Sequence, residues 1–384
     1  MATKLVAPLL LLVLLLAVPG TASAAQQFIR VDPGQYKLQR QYFDSEAYQQ
    51  IAQLQAAGFK RVGVGGMMKR VRQGTAGKKL GPLNRAAVAG IPGASGYSFN
   101  PQDNADPNWL PQGITNSQDA GRGPGLDVHS WYRSGEVATR ASFADRGACR
   151  RTSAKCRYGL ATFVNPRGGG GFDQVQNHAG GVAWSGPYIY LAETGFGLKV
   201  FDVRQIMRVP KSRRGETYGS KFVLPEVGRY AYDDSDASLS FSALSLDRKD
   251  PARPALVVGE YETPDPDKAT EIARWEIDPG TNLLRTVGAN QAWKTDNWQL
   301  QGVLTRGRRL FVSSSASDRG RLYFGRSKRN EGAPNRKVRD CNWGKFPEGL
   351  AVSRGRLWSL TEMANERTVF GIRLGRLGGL RCAN

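Results

Sequence analysis

Histidine is scarce in this chain: among 384 residues only His129 and His178 occur. That leaves little material for a histidine-built metal centre or a Ser–His–Asp triad. No nucleophile elbow, H-E-x-x-H helix or Walker A loop is present, and "GTAGKKL" (Gly74–Leu80) resembles a phosphate loop in composition alone. The residues that could do chemistry stand instead just before a recurring pair of one small and one aliphatic residue. They are Asn108 and Gln112, Asn177 and His178, Ser240 and Ser242, Asn297 and Gln301, and Asn342 and Glu348. Amides, hydroxyls, one imidazole and one carboxylate suit hydrogen bonding to a sugar or phosphate. They carry too little charge for a tight calcium cage. The acidic run "YDDSDAS" places Asp233, Asp234 and Asp236 at a spacing that could serve a loop-bound Ca²⁺, the one cofactor to consider; otherwise none is expected. An Asp also precedes each small residue (Asp106, Asp173, Asp236, Asp296, Asp340), which reads more simply as a turn residue bonding its own backbone.

The elements that would position these residues form a repeat. "NWLPQGIT" (Asn108–Thr115) returns as "NWQLQGVL" (Asn297–Leu304) and "NWGKFPEGL" (Asn342–Leu350). Gln112-Gly113-Ile114, Gly180-Gly181-Val182, Ser242-Ala243-Leu244, Gln301-Gly302-Val303 and Glu348-Gly349-Leu350 fall into one column. Second strands follow as "LDVHSWY", "YIYLAET", "ALVVGEYE", "RLFVSSS" and "RLWSLTE", then third strands such as "LKVFDV" and "TVFGIRL". Each run is short, mostly β-branched and aromatic, and bounded by turn residues. Repeated units of about four short strands predict an all-β fold, a β-propeller of five blades over residues 107–384. The small residue belongs on the innermost strand, where backbones crowd, and Trp109, Trp298 and Trp343 are expected to pack between blades. If the blades close, Asn108, Gln112, Asn177, His178, Ser242, Asn297, Gln301 and Glu348 ring one channel mouth as ligand-binding residues.

Residues 25–106 do not fit the repeat and read as an N-terminal extension. "DSEAYQQIAQLQAAGF" predicts one short helix at about 45–57, capped by Asp44 or Ser45 and stopped by Gly58. Gly63 to Gly96 is Gly-rich, basic and free of carboxylates, and reads as loop. "PRGGGGF" (Pro166–Phe172) reads as a flexible link between units.

The Gln/Glu-Gly-aliphatic starts resemble those of secreted bacterial propellers of the NHL-repeat and gluconolactonase-like type. The resemblance spans most of 107–384 and is architectural. In gluconolactonase-like hydrolases a Glu of a Glu-Gly pair helps hold a metal, and the resemblance puts Glu348 in that place. The accompanying Asn and Asp ligands have no counterpart here.

Composition sets the partners. The net charge is +21, with basic runs at Lys60–Arg85 and Arg319–Arg339, which points to an anionic extracellular or cell-wall polymer. Nucleic acid is not excluded, although aromatics are not interleaved with these runs; a protein partner is left open. Lys4, the apolar run "LVAPLLLLVLLLAV" and Ala22-Ser23-Ala24 predict a signal peptide over 1–24, hence an exported, extracellular protein with no stable membrane span. Cys149, Cys156, Cys341 and Cys382 lack metal spacing and favour disulfides. "CRRTSAKC" reads as a turn bridged by Cys149–Cys156, which leaves Cys341–Cys382 to tie down the C-terminus. The expected function is a secreted, non-catalytic binding protein presenting a basic surface to such a polymer. The alternative is a metal-assisted phosphoester or lactone hydrolase at the mouth, using Glu348, His178 and Asp236.

Overall fold

The computed structural model describes residues 27–383, except positions 44, 122–124, 150–155, 234–238, 266, 318, 329–330 and 333–337 and the side chains of 148 and 149. The expected signal peptide, the cap candidate Asp44, Asp234, Asp236 and the Cys149 side chain therefore lie outside the described residues.

The fold is an all-β propeller. Its strands pair mostly as antiparallel meanders, and the strands that open them are Trp109–Asn116, Val182–Ser185, Ala243–Asp247, Leu300–Arg306 and Pro347–Ser353. Each opening strand contacts the next, and the last contacts the first, so they form a closed inner ring. Second strands lie where the repeat predicts them, at Leu126–Arg133, Tyr188–Glu193, Ala255–Gly259, Arg309–Ser314 and Arg356–Thr361. The hairpin in unit five turns on Arg354 and Gly355, whose φ values of 50° and 68° give the positive pair of a type I′ turn. Units one and two share a sheet because Arg157–Arg167 pairs in parallel with Phe222–Asp233.

The N-terminal segment is woven into this body. Phe28–Val31 adds an edge strand to unit three, and Ser95–Ser98 pairs with Thr368–Arg373 as the fourth strand of unit five. Tyr97 on that strand hydrogen-bonds across to unit one, to Asp127 at 2.9 Å and His129 at 3.1 Å. Phe99 packs on Trp131 with ring centroids 4.6 Å apart. The ring is therefore closed by chain from both ends.

Three local expectations change. The expected helix forms as Ser45–Ala56 and buries Ile51 and Leu54, but a second helix, Gly63–Arg72, occupies the segment that reads as loop. Its Met67, Met68 and Val71 are buried, and Val71 and Met67 press on unit one at Gly159, where a Cβ would meet Val71 Cγ2 at 2.5 Å. Tertiary burial outweighs the helix-breaking glycines. A short helix, Pro101–Ala105, is also present, capped by Asn100, whose side chain accepts from Asp103 N. "PRGGGGF" is not a flexible link: Gly171–Gln174 folds back on Val164–Arg167, and Gly169 N donates to Gln53 Oε1 at 2.7 Å.

Cys341 and Cys382 form a disulfide. Cys156 is also disulfide-bonded; its expected pairing with Cys149 falls outside the described side chains. Among the described residues no helix is long and apolar enough to cross a membrane.

Candidate functional site

The inner ring fixes the level of the mouth residues. A Cβ on Gly349 would lie 2.8 Å from Ile114 N and 3.1 Å from Gly113 Cα, and one on Gly181 would lie 2.0 Å from Leu244 N. Gly113 abuts Gly181, and Gly302 abuts Gly349, in the same way. Gly113, Gly181, Gly302 and Gly349 thus lie where neighbouring backbones touch and a Cβ would clash, and Ala243 takes the fifth place with a single methyl group. The residues one step earlier, Gln112, Gly180, Ser242, Gln301 and Glu348, stand together at one end of the channel.

Two of these five take part in a concentrated polar site. Gln112 is 1% exposed and donates its Nε2 to Glu362 Oε1 at 2.8 Å. Glu348 is 0% exposed, and neither carboxyl oxygen has a hydrogen-bond partner among the described residues. Burial, reinforced by the Glu362 charge, pushes Glu348 well above the usual carboxylate range. Glu362 is also raised by burial, against the pull of His178 and the Gln112 amide. His178 stacks on Tyr132 with centroids 4.4 Å apart and bonds Glu136 at 3.0 Å.

The other expected residues divide by role. Asn177 is a backbone brace, bonding Ala192 O and Ala179 N. Asn297 is buried and donates to Thr295 Oγ1 at 2.6 Å. Ser242 pairs loosely with Ser240 at 3.4 Å, Gln301 reaches Ser315 at 3.5 Å, and Asn108 is exposed beside unit one. Of the residues proposed for hydrolysis, Glu348 and His178 stand at this mouth, and Asp236 lies outside the described residues. Asp106 is a turn residue, accepting from Asn108 N at 2.8 Å. Asp173 and Asp340 instead pair with Arg167 and Arg321, and Asp296 receives Gln27 N, so the Asp column has no single role. Trp109 packs between Arg140, 4.1 Å from its ring, and Tyr218 of unit two, while Trp298 is half-buried.

Sequence reading misses Glu362 and Glu260, which end the second strands of units five and three. Each follows an aliphatic strand as "SLTE" or "VVGE", a recurrence that could have marked them.

A contrasting feature occupies the opposite end. The hairpin of unit five, the end of its third strand and the N-terminal closing strand enclose a cleft of about 1080 Å³. Arg146, Arg354, Arg356, Arg373 and Arg376 line it beside Trp358, and among the described residues no carboxylate does. Arg356 lies directly opposite Arg373 across the strands, a like-charge pair that costs stability. Arg146 is fixed by Asp127 at 3.1 Å and Ser353 at 2.6 Å, and it covers the Trp358 ring at 4.6 Å. These arginines are scattered in the sequence and lie outside the two basic runs, so only folding collects them.

No protein-family model matches the chain, and no curated protein matches it in sequence. Similar solved structures include a prolyl endopeptidase at 12% identity and TM-score 0.32, matching 89% of this chain and 45% of that one. A nidogen/laminin complex matches at 11% identity and TM-score 0.34, over 80% of this chain and 95% of that one. TolB from Acinetobacter baumannii matches at 9% identity and TM-score 0.23, over 69% and 64%. The chain spans less than half the length of the prolyl endopeptidase. These neighbours include propeller-like proteins; the fold assignment rests on the strand pairing described above, and a shared fold names no activity.

Proposed function

We propose that this is an exported, non-catalytic binding protein that holds an anionic polymer in the arginine cleft, each four-stranded unit serving as one propeller blade. The observation that carries the reading is the cross-strand Arg356–Arg373 pair in a cleft lined, among the described residues, by five arginines and no carboxylate. Arg356 is depressed by burial and by the neighbouring Arg373, Arg376 and Arg146 charges. An anion entering the cleft relieves that repulsion and gains charge-assisted bonds from planar guanidiniums. Because Arg146 covers Trp358, the cleft has no open ring for base stacking, which favours recognition of anionic groups over bases.

The test is titration with long-chain inorganic polyphosphate at several salt concentrations. Binding should weaken steeply with salt, with a log–log slope of about −3. Arg356→Ser with Arg373→Ser should reduce affinity at least about tenfold while leaving the fold intact, because a like-charge pair is removed. Salt-insensitive binding, or full affinity in the double variant, would reject the reading. Tighter binding of single-stranded DNA than of polyphosphate would replace it with nucleic-acid recognition.

A further inference from the structure

The channel mouth opposite the arginine cleft holds buried acceptors without donors. Both Glu348 oxygens and Gln112 Oε1 are buried and unpartnered among the described residues. Both side chains lie beside Glu362: its charge acts on Glu348, and Gln112 Nε2 is committed to Glu362 Oε1 at 2.8 Å. Buried polar groups are almost always satisfied, so two Glu348 oxygens and Gln112 Oε1 left without partners beside Glu362 mark a site that awaits a hydrogen-bonding partner.

The surrounding groups do not supply one. Arg367 directs its N–H groups at the backbone carbonyls of Glu362, Asp103 and Asp106. His178 bonds Glu136 and lies flat on Tyr132. Two carboxyls and one amide oxygen fall short of the six to eight oxygens that a calcium ion takes. A primary ammonium, however, carries three N–H donors, one for each orphaned acceptor.

We propose that this mouth binds a primary ammonium group, from a lysine side chain, an amino sugar or a small free amine. Glu348 and Gln112 Oε1 accept its three N–H bonds, Glu362 supplies a second negative charge, and the Tyr132–His178 stack walls the ligand. Without the cation, burial keeps a proton on Glu348; entry of the ammonium displaces that proton to solvent. Affinity therefore rises with pH.

Calorimetric titration of the purified protein with methylammonium, Nα-acetyllysine amide and glucosamine tests this, with tetramethylammonium and CaCl₂ as contrasts. At least one primary amine should bind, and more tightly as pH rises, with a proton released to solvent on binding. Tetramethylammonium, which has the charge but no N–H, should not bind. Tighter binding of the lysine derivative or of glucosamine identifies the natural carrier. Glu348→Gln should weaken binding at least tenfold; if that variant does not fold, Gln112→Met removes another of the acceptors and should weaken it as well. Equal binding of tetramethylammonium, binding of CaCl₂ alone, no binding of any primary amine, or undiminished binding in a folded variant would overturn the assignment.

Discussion

Glu260 shows how a single buried carboxyl sets a pH limit. It follows the second strand of unit three, is 2% exposed, and accepts from Glu271 N at 2.6 Å and Ser240 N at 3.4 Å. Burial, with the nearby Glu271 and Glu262 charges, pushes it up to about 8. The native carboxyl therefore keeps a proton that the unfolded chain releases above about 4.5. Stability present below that pH is lost as pH rises towards 8, by about 1.4 kcal/mol per unit. Glu260→Gln should flatten this slope, so its loss of melting temperature between pH 5 and 8 should be smaller than that of the unmodified protein; equal losses would show that Glu260 does not set it. His129 acts in the opposite sense. Burial lowers it to about 3, so folding holds it neutral and stability falls as pH drops below about 6.5. Glu348 was legible in the sequence because it stands in the repeat column. Glu260 and Glu362 carried only the weaker signal of a Glu closing an aliphatic strand, which looks like a solvated strand end until the ring closes over it.

At the scale of elements, the closing strand Ser95–Ser98 has the most to hold. Its pairing with Thr368–Arg373 joins chain segments far apart in sequence, and Tyr97 fastens it to unit one through Asp127 and His129. His129 Nδ1 is in turn bonded to Ser142 at 2.9 Å, so removing the phenol leaves His129 Nε2 buried without that partner. Tyr97→Phe keeps the ring and should cost about 1–3 kcal/mol, read as a lower denaturant midpoint with the slope of the transition unchanged. An unaltered midpoint would mean that backbone pairing alone closes the molecule. The repeat strands were readable because local pattern and tertiary role agree: small residues where backbones touch, aliphatics where units pack. "ASGYS" gave no such signal, since a short Gly- and Ser-bearing strand is defined by its distant partner. Helix Gly63–Arg72 stayed hidden for the same reason: its glycines argue against a helix, and only Gly159 in unit one makes room for Met67 and Val71.

Across the whole molecule the net charge of +21 is unevenly placed. Glu348, Glu362 and Glu260 stand where first strands begin or second strands end, while arginines line the turns of hairpins such as 306–309 and 353–356, where Asp119 and Asp247 also lie. The proposed anion cleft and the proposed ammonium site stand at opposite ends of the unit-five strands, so at physiological salt, where fields fade within about 8 Å, neither would screen the other. That arrangement depends on the last unit keeping its place, since Arg356, Arg373, Glu348 and Glu362 all belong to it. The Cys341–Cys382 bridge spans a sequence separation of 41 and packs with Leu377, Leu380 and Trp343 against the core of units four and five. Closing a loop of that length stabilises by about 4 kcal/mol in the chain-entropy view. Cys341→Ser with Cys382→Ala should therefore lower the melting temperature by several degrees and weaken polyphosphate binding at the arginine cleft, to which Arg373 and Arg376 contribute just before the bridge. If the variant melts lower but binds polyphosphate with unchanged affinity, the bridge secures the chain end alone and the cleft is held by its strands.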